Sequence, residues 1–407
     1  MKELHRGDIR KGGYLVTMKQ RAAQCFAHHF GLAEPLRYLF APGRINLIGE
    51  HTDYNGGYVM PTTISRGIYA AVRRREDRCI QLVSESYADR GVQSFSLDSL
   101  PSSASGHWYD YVLGMVLQLR EEGFLPSYGF DMALVSDVPI ESGLSSSHAL
   151  MILTGLVLGE LFGFPFQDEG GRRLLAQASM RCENNYVGLS SGIMDGFAIA
   201  LGGQDEALWL QCSTQTYQRI PLHFGEHELW IVNSHMPRDL VTSAYNQRYA
   251  ECQEALHALQ QAGVDIDVLA ELTPDLFAQH ESKLHGVAWQ RARHVVYENE
   301  RTYKAASALA SGDMYLLGRL FTESHRSLSV DYEVAGHALD SLAELCLRQE
   351  ACLGARLTGA GFGGCLISLW QKEHAEVSLQ RVARSYSRAL GLKPTYFRYQ
   401  PGVAGAL

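Results

Sequence analysis

Disulfide and zinc frameworks are missing from this sequence. Its eight cysteines (Cys25, Cys79, Cys182, Cys212, Cys252, Cys346, Cys352 and Cys365) are scattered along 407 residues, with no Cys-x-x-Cys pair and no Cys/His spacing that suits zinc. Such usage is expected of a chain kept in a reducing cytoplasm. Long apolar runs are missing too. The most apolar stretch, Ala149 to Phe162, is short and carries Glu160, so it reads as a buried helix and not as a membrane span. The first eight residues hold no apolar core of the kind a signal peptide needs. A basic excess is absent: net charge is −8 and the pI is near 6.1, so neither a nucleic-acid nor a membrane partner is expected. The run Arg73–Arg75 is followed at once by Glu76 and Asp77 and reads as a solvated strand end. No Gly-Lys-Ser/Thr occurs, which excludes a Walker A loop. No internal repeat or low-complexity tract is visible.

What is present fits a globular protein, 46% hydrophobic and 20% charged, too long for one ordinary core. Helices are expected over 17–30, 108–119, 144–162, 171–187, 238–261 and 375–389, with further helices filling 274–350. Short apolar strands are expected near 38–40, 58–61, 68–72, 80–83, 130–135, 208–211, 229–232 and 366–369. Strands and helices do not alternate strictly, which argues for an α+β fold. The boundary between two domains falls loosely near 215–226, giving 1–220 and 221–407. Residues 1–17 read as an extension, and Met18 is a candidate translation start, a point that the intact mass of the native product decides.

The densest chemistry lies in Ala41-Pro-Gly-Arg-Ile-Asn-Leu-Ile-Gly-Glu-His-Thr-Asp-Tyr-Asn-Gly-Gly57. Arg44 offers a planar, permanently charged fork for an anion. Glu50, His51 and Asp53 can bind several hydroxyls at fixed angles. A basic group beside a polyhydroxyl clamp suits a site where a phosphoryl group meets a sugar; the plainer reading is a polar surface loop. Further on, Val138-Pro-Ile-Glu-Ser-Gly-Leu-Ser-Ser-Ser147 runs straight into an apolar helix. A helix N-terminus presents free N–H groups and a positive dipole end, and together these bind phosphate. N-capping of a core helix accounts for one of the serines just as well. A second glycine-rich run, Thr358 to Gly364, either lets backbone amides approach a ligand or makes a tight turn.

These segments resemble the galactokinase signature and the later motifs of the GHMP small-molecule kinases. The first motif, the phosphate loop, Glu183 to Asp195, the helices around Arg291–Arg301 and Ser324–Val334, and Arg356 to Cys365 match in the family's order. The resemblance implies two α+β domains with the active site in the cleft between them. It implies an ATP-dependent kinase that phosphorylates the anomeric hydroxyl of a galactose-like sugar. Asp195 is then the catalytic base and Arg44 its partner, which also stabilises charge on the moving phosphoryl. Glu50, His51, Asp53, Gly192 and Tyr245 contact the sugar. Gly143, Leu144, Ser145, Ser146 and Ser147 hold the phosphates of ATP, with Trp108 and Tyr111 on the adenine side. Ser147 or Ser146, with Glu183, reaches Mg²⁺. Read without the resemblance, Glu183 is a solvated helix residue, Asp195 a helix cap, Trp108 and Tyr111 core aromatics, and Tyr245 a packing residue. A monomer or weak homo-oligomer is expected.

Three positions depart from the family. Glu141 and Ser142 replace Gly-Ala or Gly-Ser, His148 replaces a small residue after the serines, and Gly196 replaces a Gln after Asp195. Glu141 sets a negative charge on a phosphate loop. His148 either donates to a phosphate or packs in the first helical turn. Gly196 is expected to make the sugar pocket wider or differently shaped. The departures leave open other sugars, namely N-acetylgalactosamine, arabinose or an acidic hexose, and a non-catalytic sensor of sugar and ATP. Homoserine and mevalonate kinase relatives are disfavoured by the Gly-Glu-His-Thr-Asp-Tyr segment.

Overall fold

The computed structural model describes residues 9–11, 14–32, 35–139, 142–237 and 241–407. Glu141 and the expected helix start at Arg238 lie outside these residues. Ile9–Lys11 and Tyr14–Val16 pair as a short antiparallel ribbon. Helix α1 (Met18–Phe30) starts at Thr17, whose hydroxyl accepts from the Gln20 N–H while the Gln20 side chain accepts from the Thr17 N–H.

The N-terminal half is built on strands β1 (Arg37–Asn46), β2 (Pro61–Arg74), β3 (Cys79–Ser84), β4 (Gln93–Ser96) and β5 (Phe130–Ser136). They form one sheet in the order β1-β2-β5-β3-β4, antiparallel except for β3 against β5. The final pair Gly405–Ala406 returns to add an edge to β1. Side chains alternate between the two faces. Ala71, Val83, Ala133 and Val135 meet Met18, Ala22 and Phe26 of α1. Ala70, Val72, Leu82, Met132 and Leu134 point the other way, into the main core. That face is covered by helices α2 (Asp110–Glu121), α3 (Ser146–Phe162), α4 (Glu169–Arg181) and α5 (Met194–Leu201). Burial on both faces explains why β2 and β5 read as continuous apolar runs. Helix α3 is apolar all round because it lies inside this layer.

A small sheet joins β6 (Glu206–Gln211) to β7 (Thr216–Pro221) and to Tyr58–Val59. The C-terminal half follows with β8 (His227–Asn233), α6 (Val241–Gln261), α7 (Gly286–Ser311), α8 (Met314–Val330) and α9 (Gly336–Leu347). It ends with β9 (Cys352–Thr358), β10 (Cys365–Gln371), α10 (Ala375–Leu390) and β11 (Thr395–Arg398). Its sheet is antiparallel in the order β9-β10-β8-β11. Trp230, Val232, Leu366 and Trp370 face a helical core of their own. Leu229, Ile231, Ile367 and Leu369 face the opposite way, against Leu317 and Phe321 and against Ile45, Leu47, Ile48 and Met60 of the N-terminal half. The two domains therefore share an apolar seam, and that seam fixes the walls of the cleft above it.

Two expected elements differ in detail. The helix expected over 171–187 is α4 followed by a π-helical turn, Cys182–Val187, where Glu183 sits. Wider turns of this kind concentrate at functional sites. The helix expected from Trp108 begins at Asp110, whose carboxylate accepts from the Ser105 and His107 N–H groups.

Candidate active site

Arg44 lies near the end of β1, just past an irregularity in the pairing with β2 between Pro42 and Arg44. Such bulges re-aim a side chain. The guanidinium grips Asp195 with two bonds, Nε to Oδ1 at 2.6 Å and Nη2 to Oδ2 at 2.5 Å, and its Nη1 donates to the Gly143 carbonyl at 2.7 Å. Ser145 Oγ donates to Asp195 Oδ2 at 2.6 Å. Asp195 is in the first turn of α5, whose cap is Ile193, so its side chain is directed to Arg44 and Ser145 instead of capping the helix.

The phosphate loop is held by backbone contacts. The Arg44 N–H donates to the Leu144 carbonyl at 3.0 Å. A Cβ on Gly43 would come within 2.7 Å of that same carbonyl, and one on Gly359 or Gly364 within 2.7 Å of the Gly143 or Ser142 carbonyl. The third motif thus backs the phosphate loop, while Gly359 and Ala360 also reach the cavity. Ser145 adopts a left-handed backbone immediately before α3. Ser147 Oγ donates to Glu183 Oε1 at 3.1 Å, bringing a hydroxyl and a carboxylate together beside the helix N-terminus.

These elements enclose a half-open cleft of about 200 Å³. Of the residues that the resemblance assigns to catalysis, sugar, nucleotide and metal, it collects all except Trp108 and Leu144. Arg44, Asp195, Glu183, Tyr111 and the serines line it together with Glu50, His51, Asp53, Gly192 and Tyr245. Trp108 instead packs on the N-terminal core and stacks on Tyr87, with ring planes 11° apart. The Leu144 side chain is buried in the seam between the domains. Gly192 abuts Asp53 so closely that a Cβ would lie 2.1 Å from Oδ2. Gly196 does not widen this cavity. A Cβ there would meet Ser179 Oγ at 2.6 Å and the Ala176 carbonyl at 2.8 Å, so Gly196 serves the packing of α5 on α4.

The family comparison fits this geometry. The galactokinase galactose-binding signature matches residues 24–74, and the GHMP kinase N-terminal and C-terminal domains match 110–203 and 305–388. The chain is 40% identical over 387 residues to the galactokinase of Lactococcus lactis subsp. lactis (strain IL1403), covering 95% of this chain and 96% of that protein. This chain belongs to the galactokinase family. The galactokinase of Ligilactobacillus salivarius (strain UCC118) is 42% identical over 364 residues, 88% of this chain and 92% of its own. The crystal structure of Lactococcus lactis galactokinase complexed with galactose superposes with a TM-score of 0.91 at 40% identity, covering 95% of this chain and 98% of that one. A mevalonate kinase, 17% identical with a TM-score of 0.64 over 90% of this chain and 99% of its own, shares the fold.

Electrostatics divide this galactokinase-family site. Burial alone would raise the Asp195 pKa, but Arg44, the His148 imidazole and Ser145 overcome it and hold the carboxyl below its usual range. For Arg44 burial is likewise outweighed, by Asp195 first, so its charge is secured. Asp53 goes the other way. Burial, then the nearby Asp195 and Glu50 charges, push it up to about 7. Burial also raises Glu50, against the opposing pull of Arg356 and the Gly359 N–H.

His51 is held neutral, its pKa brought down to about 3 by burial and then by His294. Its Nε2 lies 3.2 Å from the Ala360 carbonyl and its Nδ1 2.8 Å from the Tyr54 hydroxyl. A carbonyl only accepts, so Nε2 donates and Nδ1 must accept from Tyr54. Tyr54 then accepts from Tyr332 at 2.8 Å, and Tyr332 accepts from the Cys252 thiol at 3.0 Å. One backbone carbonyl therefore orients a four-residue chain that crosses between the domains.

Several supporting residues carry no motif of their own. Arg356 is fully buried and donates to Glu50, to the carbonyls of Asn46 and Leu47, and to Ser324. Glu298, held well down at about 2 by Arg301, His294 and Arg356 against the cost of burial, accepts from the Gly49 N–H and from Ser324. A charged residue at a strand position flanked by buried Ala355 and Leu357 is the signal by which Arg356 stands out in sequence. Thr242 and Ser191 line the cavity without any such signal.

Proposed function

We propose that this chain transfers the γ-phosphoryl group of ATP to the anomeric hydroxyl of galactose, giving galactose 1-phosphate and ADP. The observation that carries the reading is the two-pronged bond from Arg44 to Asp195 beside the phosphate loop, with Ser145 on the same carboxylate. Phosphoryl transfer depends on positioning and charge neutralisation more than on covalent chemistry.

ATP phosphates fit at the N-terminus of α3, among Gly143, Ser145, Ser146 and Ser147, where the helix dipole and unpaired N–H groups favour anions. The side chain of Leu144 anchors that loop from below, and Tyr111 borders its entrance. Arg44 neutralises charge on the group in flight, through nitrogens fixed beforehand by Asp195. Asp195, kept ionised by Arg44, is a weak base. It orients the attacking hydroxyl and takes its proton as the phosphoryl bond forms.

The sugar rests against Asp53, Gly192 and Tyr245. Glu50 already accepts from Arg356, Asn46 and the Gly359 N–H, which leaves a carboxylate about one acceptor site for a hydroxyl. His51 reaches a hydroxyl through Nε2 by exchanging its bond to Ala360. The Ser147 and Glu183 oxygens suit Mg²⁺, a hard cation that takes a carboxylate and a hydroxyl and completes its shell with phosphates and water. No group of three or more His, Cys, Asp or Glu that could hold a metal occurs among the described residues, consistent with an ion shared with the nucleotide. When bound, Mg²⁺ supplies charge neutralisation at the phosphates.

We divide the chain at 220/221, with the last strand pair returned to the first domain. We place it in the cytoplasm as a monomer or weak homo-oligomer that binds neither nucleic acid nor membrane. The cysteines form no disulfide among the described residues, which supports that compartment, and no helix among the described residues is long and apolar enough to cross a membrane.

A coupled ADP-release assay with Mg·ATP tests the reading against galactose, N-acetylgalactosamine, galacturonate and arabinose. Strong turnover with galactose is expected. Turnover confined to another sugar, or none with any, would overturn the assignment.

A further inference from the structure

Behind the phosphate loop stands a buried imidazole with no hydrogen bond. His148, in the first turn of α3, is 1% exposed, and neither of its ring nitrogens has a hydrogen-bond partner among the described residues. Its Nδ1 lies 3.7 Å from Glu183 Oε2 and 3.9 Å from Asp195 Oδ2. The ring is not part of the cavity wall; it sits behind the two carboxylates that are. A buried polar group left unpaired is costly, and an apolar side chain of similar volume at this place would avoid that cost.

The neighbouring bonds show what remains free. Arg44 and Ser145 fix Asp195 from the cleft side, and Ser147 engages Glu183 through Oε1. Glu183 Oε2 and the rear of Asp195 Oδ2 both face the same imidazole nitrogen. An advance of about 0.8 Å would turn the nearer contact into a hydrogen bond of ordinary length.

We propose that His148 is a positioning residue that shares its Nδ1 proton between Asp195 and Glu183. It thereby ties the carboxylate that orients the sugar hydroxyl to the carboxylate on the metal side. The inference rests on the kinase reading above and adds a residue to it.

Two substitutions separate donor from volume. His148→Asn keeps an N–H donor close to the position of Nδ1. His148→Leu keeps bulk and removes the donor. Each is compared with the parent protein in steady-state turnover, and in calorimetric affinity for a non-hydrolysable ATP analogue with and without Mg²⁺. His148→Leu is expected to lower kcat by roughly 5- to 20-fold, with the sugar KM within about twofold, as suits the loss of one charge-assisted hydrogen bond acting on the reacting group. It is also expected to shrink the gain in nucleotide affinity that Mg²⁺ confers by about threefold or more, whereas His148→Asn stays within about threefold of the parent in both readouts. If the two variants behave alike, in either direction, the proposal is overturned. If His148→Leu does not fold, His148→Ala takes its place under the same criterion. A parent protein inactive with every sugar overturns the kinase reading instead, and the magnesium-dependent nucleotide binding still decides the part played by His148.

Discussion

Arg356 and Glu50 form an ion pair at 2.7 Å with neither side chain more than 1% exposed. The pair joins β9 of the C-terminal domain to the loop that follows β1, so it fixes the sugar wall to the opposite side of the cleft. Every Arg356 nitrogen is engaged, which is what makes such burial tolerable. Removing one partner leaves the other charged and dry. Arg356→Met is expected to destabilise the fold by about 3–5 kcal/mol, whereas Arg356→Met combined with Glu50→Gln recovers part of that loss. Thermal or denaturant unfolding of both variants reads this out. A single variant as stable as the parent would show that Glu50 does not depend on Arg356.

Asp195 carries the chemical step in the proposed mechanism and also balances the buried Arg44 charge. Its side chain is 20% exposed and its bonds run to Arg44 and Ser145, not to the core. Asp195→Asn is expected to lower kcat by at least about 2–3 orders of magnitude and to lower the melting temperature, because buried Arg44 loses its charged partner. Single-turnover kinetics beside a thermal melt check both halves. Near-normal turnover removes Asp195 from the mechanism.

Asp53 makes stability depend on pH in a definite direction. Its folded pKa is raised from 3.8 to about 7 by burial, then by Asp195 and Glu50. A carboxyl raised on folding gives its full contribution below the unfolded value and loses it as pH rises through the folded one. Between about pH 4 and pH 7 the unfolded chain releases this proton while the folded chain keeps it, so stability falls across that window. Asp53→Asn is expected to flatten that part of the profile and to raise the melting temperature at pH 8, while raising the sugar KM. Melts from pH 5 to 8 on both proteins decide it; parallel profiles contradict the assignment.

The sugar-binding signature and the phosphate loop were legible because each is compact in sequence, whereas Asp195, 151 positions from Arg44, was placed by the resemblance alone. Arg44 to Asp53 and Gly143 to Ser147 each form a short motif whose residue types state their own chemistry. The short apolar runs in β2, β5 and β8, bounded by Gly, Pro or charge, likewise foretold strands, since such a pattern is a local property. What periodicity cannot say is which element a face will meet. Glu50 and Arg356 are separated by 306 positions, and nothing near either one announces the other. The same holds for the chain from His51 through Tyr54 and Tyr332 to Cys252, whose direction depends on a carbonyl at Ala360. Trp108 was assigned to the adenine side by the resemblance, since two aromatics at helical spacing alone read as core residues. In the structure it packs on the N-terminal core and stacks on Tyr87.

Gly196 shows how neighbourhood in sequence can mislead. It follows the catalytic carboxylate, yet one step along a helix turns the next residue by about 100°, and here that turn points it at α4. The obstacle at this contact includes the Ala176 backbone carbonyl, 2.8 Å from where a Cβ would stand, and a carbonyl cannot rotate aside as a long side chain can. Replacing glycine in a helix gains about 0.5–1 kcal/mol in propensity, but overpacking costs about 1–3 kcal/mol and is the larger effect. Gly196→Gln is therefore expected to lower stability by about 1–2 kcal/mol and to leave the preference among sugars unchanged. A thermal melt and the sugar panel measure the two consequences separately. An unaltered melt with a new preference would return Gly196 to the sugar pocket.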